Sequence, residues 1–290
     1  MLRLVIAFAV MCLHLHLAGA QDKSDREKAN LIGPVRSVRS KTVDYKDETL
    51  KVSLGTKELN TVTYDEKGNQ VEHIIDEFYG MRRSKDVRKY DSKGMLIESV
   101  LSEAEGVLTR QVYAYENGKL MRIVSYEGDG KVEITEDNSY GKDGRLLETK
   151  YTTRQGPFGK TVYKHDEKGN LAEAAFYHSS GARSIAIAGP CVGYHRITYT
   201  YDEQRNPTKL VYYEPDGSVK QTWQYSYDAK GLVTTYVLQY YDVKQTFVYV
   251  YEFDSHGNWI KKTSTKDLDA RDAPKDSKIT SVTSREISYY

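Results

Sequence analysis

The sequence predicts an all-β fold, an antiparallel meander of about sixteen or more strands. Three observations predict it: a turn motif that returns at a regular spacing, a looser second turn between successive motifs, and alternation of aromatic with other residues between the turns. Self-similarity at a period of roughly 20 to 50 residues is typical of repeat architectures. No stretch after the first twenty residues has a sustained helical period, so we expect strands throughout the repeated region.

The recurring motif is Tyr-Asp-x-x-Gly or a close variant of it. An Asp at the first turn position accepts hydrogen bonds from backbone amides further along, and Gly supplies the positive φ that other residues reach only with strain. The motif therefore predicts tight hairpin turns, and we interpret it as structural. Eight copies lie 25 or 26 residues apart, except for one interval of 36, and begin at Tyr64, Tyr90, Tyr115, Tyr140, His165, Tyr201, Tyr227 and Phe253.

A second, looser turn lies between successive motifs, as in YEPDGS around Gly217. Two turns and two strands in each repeat leave roughly eight or nine residues per strand, which is an ordinary strand length. Within a strand, side chains point alternately to opposite faces of the sheet. The segment TFVYVYEF is therefore predicted to place four aromatic rings on one face, namely those of Phe247, Tyr249, Tyr251 and Phe253.

The elements YDEKGNQ, YDSKGML, HDEKGNL and FDSHGNW resemble the YD repeats of Rhs-type bacterial surface and toxin proteins. The segments YYEPDGSVKQT and YENGKLMRI are also similar to the hairpin repeats of MORN-variant proteins. The resemblance spans most of the chain after residue 20 and implies an exported antiparallel strip that coils into a shell. The chain departs from the Rhs pattern in its longer spacing, in Arg205 where Gly is expected, and in His165 and Phe253 in place of Tyr. Since no autocleavage segment is recognisable, we do not expect the encapsulation role of large Rhs proteins.

Such a meander has three possible closures. A coiled strip or shell is favoured, because every repeat has the same short turns and none carries a distinct linker. A four-bladed β-propeller is the first alternative, since two repeats span roughly fifty residues, close to one four-stranded blade. A closed barrel is the second alternative.

The chain is predicted to divide into a few segments. Residues 1–20 have an apolar core and a small-x-small site, and predict a secretory signal cleaved near Ala20. Residues 21–30 are predicted to be a flexible N-terminal tail, and residues 31–290 a single repeat domain. Within it we place an insertion near 178–194, at the one long interval, and a polar loop near 265–278 that contains Pro274.

Charge and hydropathy exclude some partners. The chain has 42 Lys and Arg against 41 Asp and Glu, and Arg3 belongs to the predicted signal, so the exported chain is close to neutral. A neutral balance argues against nucleic acid as the partner. No apolar run after the signal reaches the roughly twenty residues of a spanning helix, and we therefore expect no integral membrane segment of that kind.

Motifs for chemistry are scarce. The sequence has no His-Glu-x-x-His, Gly-x-Ser-x-Gly, P-loop or Cys-x-x-Cys, so we predict no catalytic residue, no cofactor and no metal site. One candidate lies in the insertion, where Cys191 and His195 are four residues apart, with His178 at its edge. A thiol and an imidazole on one face of a strand can make a nucleophile. The alternative is that Cys191 packs as a small hydrophobic residue.

The function that these features favour is that of an exported, non-enzymatic scaffold or binding protein. Exposed tyrosines or a sheet edge are predicted to contact a protein or a carbohydrate of the envelope or the extracellular space. One alternative is a hydrolase or thiol enzyme that uses Cys191 and His195. The other is an outer-membrane β-barrel, which the charges on both faces of the strands in residues 76–90 disfavour. The identity of the ligand, the choice between periplasm and medium, and the oligomeric state are left open.

Overall fold

The computed structural model describes residues 23–46, 50, 52–78, 80–269 and 279–290. The predicted signal at residues 1–20 lies outside the described residues. Within those ranges the chain forms one short helix, α1 (Asp25–Lys28), and eighteen β-strands. The all-β prediction is confirmed, and the strand number agrees with sixteen repeat strands plus flanking ones.

The strands follow one another with short turns, apart from the insertion between β11 and β12. They form one hydrogen-bonded sheet, and every pairing with a defined register is antiparallel. Their bounds are β1 Val35–Tyr45, β2 Ser53–Tyr64, β3 Gln70–Glu77, β4 Arg82–Tyr90, β5 Leu96–Glu103, β6 Gly106–Glu116, β7 Lys119–Glu127, β8 Val132–Tyr140, β9 Leu146–Thr153, β10 Gly156–His165, β11 Leu171–His178, β12 Arg196–Tyr201, β13 Pro207–Tyr213, β14 Val219–Tyr227, β15 Val233–Tyr240, β16 Val243–Phe253, β17 Trp259–Asp269 and β18 Ile279–Tyr289.

None of the helices in the described part of the chain is both long and apolar enough to span a membrane.

The first and last strands pair with each other. On β1, Val38 lies opposite Val62 of β2 on one side and opposite Ile287 of β18 on the other. The succession of strands is thereby closed, so the closed-barrel alternative describes the fold, and the favoured coiled strip or shell is corrected. The physical reason is that pairing β1 with β18 satisfies backbone groups that an open strip leaves unpaired along its two edges. A single closed sheet also differs from the separate blades of a propeller.

The motif turns have the predicted chemistry. The carboxylate of Asp65 accepts a hydrogen bond from the amide of Asn69 at 2.9 Å, and the Asp-Asn pairs at 166/170, 202/206 and 254/258 repeat this bond. Gly68 has a φ of 88°. In the sixth repeat Arg205 takes the place of this glycine with a φ of 67°, a left-handed conformation that strains a residue with a side chain.

The motif tyrosines bind the backbone of the preceding repeat. Their hydroxyls donate to carbonyl oxygens one repeat earlier, so the motif joins neighbouring hairpins as well as closing its own turn. Burial raises the pKa of both Tyr201 and Tyr251 to about 12. The bonds of the motif tyrosines are Tyr140 to Leu120 (2.8 Å) and Tyr201 to Leu171 (2.9 Å). The hydroxyl of Tyr90 lies 2.8 Å from both the carbonyl of Gln70 and the carboxylate of Asp25, and its one proton serves the two acceptors. Tyr251, two residues before the motif residue Phe253, donates to Val233 (2.9 Å) in the same manner.

The repeat region, predicted to be one domain, divides into two compact units. Unit 1 comprises Tyr115–Arg122 and Ile134–Thr222, and unit 2 comprises Ile123–Glu133, Trp223–Tyr290 and the described residues before Tyr115. Unit 1 buries a core that includes Tyr151, Phe176 and Ile197, each no more than 2% exposed. Unit 2 has a core cluster of Leu31, Val35, Val38 and Tyr64.

The N-terminal segment, predicted to be a flexible tail, is folded against the sheet over the residues that the structure describes. Ser24 and Glu27 form a reciprocal capping box that starts α1. Asp25 accepts hydrogen bonds from the amide of Gln70 at 3.1 Å and from the hydroxyl of Tyr90 at 2.8 Å. These long-range bonds hold the segment in place and were not visible in its charged composition.

The insertion lies close to its predicted position. β11 ends at His178 and β12 begins at Arg196, so the segment that contains the insertion is 179–195. They contain isolated bridges from Tyr177 to Arg183 and from Ala186 to Val192. The polar loop predicted near 265–278 starts later, because β17 continues to Asp269 in pairing with β16; residues 270–278 lie outside the described residues.

Candidate functional site

The residues of the predicted thiol site have separate partners. Cys191 is fully buried, and its thiol donates to the carbonyl of Ala174 at 3.2 Å. His195 is also buried, with Nδ1 2.7 Å from the carbonyl of Phe176. Since a carbonyl only accepts, that nitrogen carries the proton. Burial lowers the pKa of His195, and His178 is bound instead to Ser180 at 3.1 Å. The structure favours the alternative in which Cys191 packs as a small hydrophobic residue.

A cavity of about 260 Å³ lies beside the insertion in unit 1. Glu173 forms ion pairs in it with both Lys164, at 2.7 Å, and Arg196, at 2.9 Å, and Arg183 adds a third cation. The basic side chains come from three separate segments, which is why the sequence did not single them out. The lining residues are Lys164, Glu173, Tyr177, Arg183, His195, Arg196 and Gly217, and do not include Cys191.

We call the buried face of the sheet in each unit the inner face. In unit 2 it carries hydrogen-bonded polar groups: Gln111 donates to Ser125 at 3.0 Å and accepts from the hydroxyl of Tyr113 at 2.8 Å. In unit 1 Thr161 is fully buried and lies 3.1 Å from the hydroxyl of Tyr151. Burying a polar group costs free energy unless the group is hydrogen-bonded. Each of these positions therefore needs a specific partner, which an aliphatic side chain would not.

An aromatic row lies on the inner face of unit 2. Tyr236 stacks on Tyr225 at 5.1 Å and on Phe247 at 5.3 Å between ring centroids. The predicted alternation of β16 is confirmed, since Val248 and Val250 on the other face are 47% and 62% exposed. The stacked rings come from successive strands and stabilise their register.

Two cations lie among these aromatic residues, and we call them the Arg285–Lys262 cluster. The guanidinium carbon of Arg285 lies 3.3 Å from the centroid of the Trp259 ring, and Nζ of Lys262 lies 5.6 Å from the same ring. Burial lowers the pKa of Arg285 to about 10. Burial, and then the charge of Arg285, lower the pKa of Lys262. Nε and Nη1 of Arg285 are buried and have no hydrogen-bond partner among the described residues.

The sequence contained one signal for this cluster. Arg285 alternates with Ile287 and Tyr289, which pack against the core of unit 2, so a charged residue occupies a face that is otherwise apolar. This pattern alone did not predict the cluster, because the aromatic ring that contacts Arg285 lies on another strand.

The opposite, outer face of the sheet carries ion pairs between neighbouring strands. Glu98, next to the buried Ser99, lies 2.5 Å from both Lys89 and Arg110. The same arrangement recurs on both units, with the pairs Lys85–Glu72 (2.5 Å), Arg122–Asp137 (2.5 Å), Lys160–Glu148 (2.6 Å) and Lys261–Glu252 (2.6 Å).

No protein-family model and no curated protein matches the sequence. Among solved structures, the chain is similar to a porin-like protein from Bacteroides uniformis, with 11% identity, a TM-score of 0.45, and coverage of 89% of this chain and 98% of that one. A porin-like protein from Bacteroides vulgatus matches with 14% identity, a TM-score of 0.25 and coverage of 86% and 97%. A TcdB2–TccC3–Cdc42 complex matches 73% of this chain and 15% of that one, with 12% identity and a TM-score of 0.32. Likenesses of this extent identify neither a family nor a function.

Proposed function

We propose that the protein is an exported, non-enzymatic binding protein whose closed β-sheet faces water on its outer face and takes up a polar ligand on its inner face. The observation that carries this proposal is the distribution of polar groups between the two faces. Export rests on the signal predicted at residues 1–20.

The outer face supports contact with water. Its ion pairs recur on strands of both units, as at Glu98, Lys160 and Arg122. A single Arg or Lys on the lipid face near the bilayer midplane costs about 2 to 4 kcal/mol, so a wall with many such residues is poorly suited to lipid. Exposed ion pairs contribute little to stability, and their main effect is to keep those parts of the outer face hydrated.

The inner face supports ligand binding. In unit 2 it combines the buried amide of Gln111 with the aromatic row and the Arg285–Lys262 cluster. Binding sites for small ligands typically join aromatic surface with a few precisely placed polar groups. A core that served stability alone needs neither cation.

The non-enzymatic part of the proposal rests on the insertion. Cys191, the only free thiol in the described residues, is buried and bound to a backbone carbonyl. A nucleophilic thiol must reach its substrate and be ionised by a neighbouring base. The enzyme alternative therefore has no accessible nucleophile at the position that suggested it.

An outer-membrane β-barrel is the second candidate function. The closed strand order and the polar inner face both favour it, because such barrels are closed and polar inside. An uncharged outer stripe also exists on β16 and β17, formed by Val248, Val250, Thr263 and Thr265. This candidate requires the ion pairs elsewhere on the outer face to lie outside the lipid.

Expression with the native leader, followed by cell fractionation, separates the two candidates. The proposal predicts a chain that appears in the periplasm or medium, stays monodisperse without detergent, and migrates on gels independently of heating. The outer-membrane barrel predicts a chain in the membrane pellet that needs detergent and shows heat-modifiable mobility. Val250→Glu provides a matched variant: a face in water tolerates it, whereas a lipid face loses membrane assembly.

A further inference from the structure

The inner face of unit 2 carries two cations, Arg285 and Lys262, that have no ion-pair partner among the described residues. No Asp or Glu among the described residues forms an ion pair with Arg285 or Lys262, and the two cations act on each other. Removing a charge from water is expensive unless an opposite charge or hydrogen bonds replace the water. Stacking on Trp259 offsets part of that cost for Arg285, but Nε and Nη1 of the guanidinium still have no hydrogen-bond partner in the described chain.

The remainder of the inner face shows how the same sheet treats a cation that it pairs. Arg88 on β4 lies 2.7 Å from the carboxylate of Asp86 two residues away on the same face. Around the cluster, the carboxylate of Glu58 forms no ion pair with Lys262, and its effect, which is to raise the pKa of Lys262, is smaller than the lowering by burial and by Arg285. The nearby hydroxyl of Tyr251 is already donated to the carbonyl of Val233. The Arg285–Lys262 cluster is therefore an exception within its own surroundings.

The chemical features of the cluster match an anionic group. Two adjacent cations supply charge, and Nε and Nη1 of Arg285 supply N–H donors that have no partner in the described chain. Arg and Lys bind carboxylate, phosphate and sulfate oxygens through charge-assisted hydrogen bonds. Arg285 and Lys262 are both half-buried, so each keeps part of its side chain exposed.

We propose that the Arg285–Lys262 cluster binds the oxyanion of a small ligand, a carboxylate, phosphate or sulfate. The rings of Trp259 and Tyr249, whose centroids lie 5.6 and 5.5 Å from Nζ of Lys262, flank the body of that ligand. This inference rests on the proposed function, since it gives the chemical class of the ligand that the inner face takes up.

Trp259 offers a direct reporter for the test. The chain has two tryptophans, so Trp223→Phe leaves Trp259 as the single one. In that background we would titrate sodium phosphate, sodium sulfate and sodium benzoate against NaCl at matched ionic strength, and follow the fluorescence of Trp259. We expect a saturable change with at least one oxyanion and none with NaCl, and the three probes separate the possible oxyanions.

Three variants assign the signal. Arg285→Met and Lys262→Met are each expected to weaken oxyanion binding about 10- to 100-fold, the range expected for a charge-assisted hydrogen bond. Lys261→Met is the matched control. Lys261 is adjacent to Lys262 on β17 but lies on the outer face, paired with Glu252, so the variant is expected to bind the oxyanion as the parent does. Because an unpaired buried charge is removed, the two inner variants are expected to melt no lower than the parent, which circular dichroism checks.

The inference is overturned if no oxyanion gives a saturable change beyond NaCl, or if binding persists unchanged in Arg285→Met and Lys262→Met. A failure of this kind in a water-soluble protein that binds neutral sugars in the same fluorescence assay leaves the proposed function standing. A protein that requires detergent contradicts the proposed function regardless of the titration.

Discussion

Glu136 is expected to make the stability of the protein fall as the pH rises toward neutrality. It lies on β8 opposite Tyr151 of β9, and burial raises its pKa from 4.5 to about 7. The folded state therefore holds the proton to a higher pH than the unfolded state does. Between those two values the folded state binds more protons, so the free energy of unfolding decreases with increasing pH.

The size of the effect follows from the two pKa values. At about 1.4 kcal/mol per pH unit, the ionised carboxyl lowers the free energy of unfolding by about 3 kcal/mol above pH 7, and by almost nothing below pH 4.5. Glu136→Gln keeps the shape of the side chain but cannot ionise. We expect the variant to match the parent at pH 4 and to be about 3 kcal/mol more stable at pH 8.

Urea unfolding followed by far-UV circular dichroism at pH 4, 5, 6, 7 and 8 measures this difference. Glu98→Gln is the control, because Lys89 and Arg110 hold the pKa of that carboxyl below its ordinary value; its substitution is expected to lose stability above pH 4.5. Parallel pH profiles for the parent and Glu136→Gln would refute the reasoning, as would a loss of stability in Glu136→Gln at pH 8.

Three further predictions concern the repeat turns and the thiol. Arg205→Gly relieves a left-handed arginine and is expected to raise the free energy of urea unfolding by about 1 kcal/mol, while Gly231→Arg, which places a side chain at the equivalent turn position with a φ of 76°, lowers it; equal effects would contradict this account. Tyr140→Phe removes one of the two donors to the carbonyl of Leu120, the other being the side-chain amide of Asn138, and is expected to cost about 1 kcal/mol in the same assay; a neutral result would remove the hydroxyl from the stabilising contacts. Cys191 is expected to resist a thiol reagent in the folded protein and to react fully in urea; rapid stoichiometric labelling of the native chain would reopen the enzyme alternative.

The local features of the repeat could be predicted because the information lies within a few residues. The Asp-Asn bond of a turn, as between Asp254 and Asn258, spans four positions, and the faces of β16 follow from alternation alone. The resemblance to the YD repeats of Rhs-type proteins, which remains a prediction, rests on the same short motifs.

The residues of the candidate sites were harder to predict, because sites depend on contacts between residues that are far apart in sequence. Cys191 and His195 are close in sequence, and their spacing suggested a shared site, but each binds a different carbonyl of β11. Arg285 and Trp259 are on different strands and only meet on the paired sheet. Spacing in sequence therefore suggested a shared site for Cys191 and His195 that the structure does not show. It gave no indication of the contact between Arg285 and Trp259.

The sequence by itself determined the all-β class, the two hairpin turns of each repeat, the inner and outer positions along the strands, and the place of the insertion, because turn chemistry and side-chain alternation act over a few residues. Only the tertiary structure decided that the sheet closes through the pairing of β1 with β18, that residues 23–30 fold onto it, and that Arg285 and Lys262 lie unpaired among aromatic rings. These features depend on contacts between residues far apart in the chain, which no local pattern specifies.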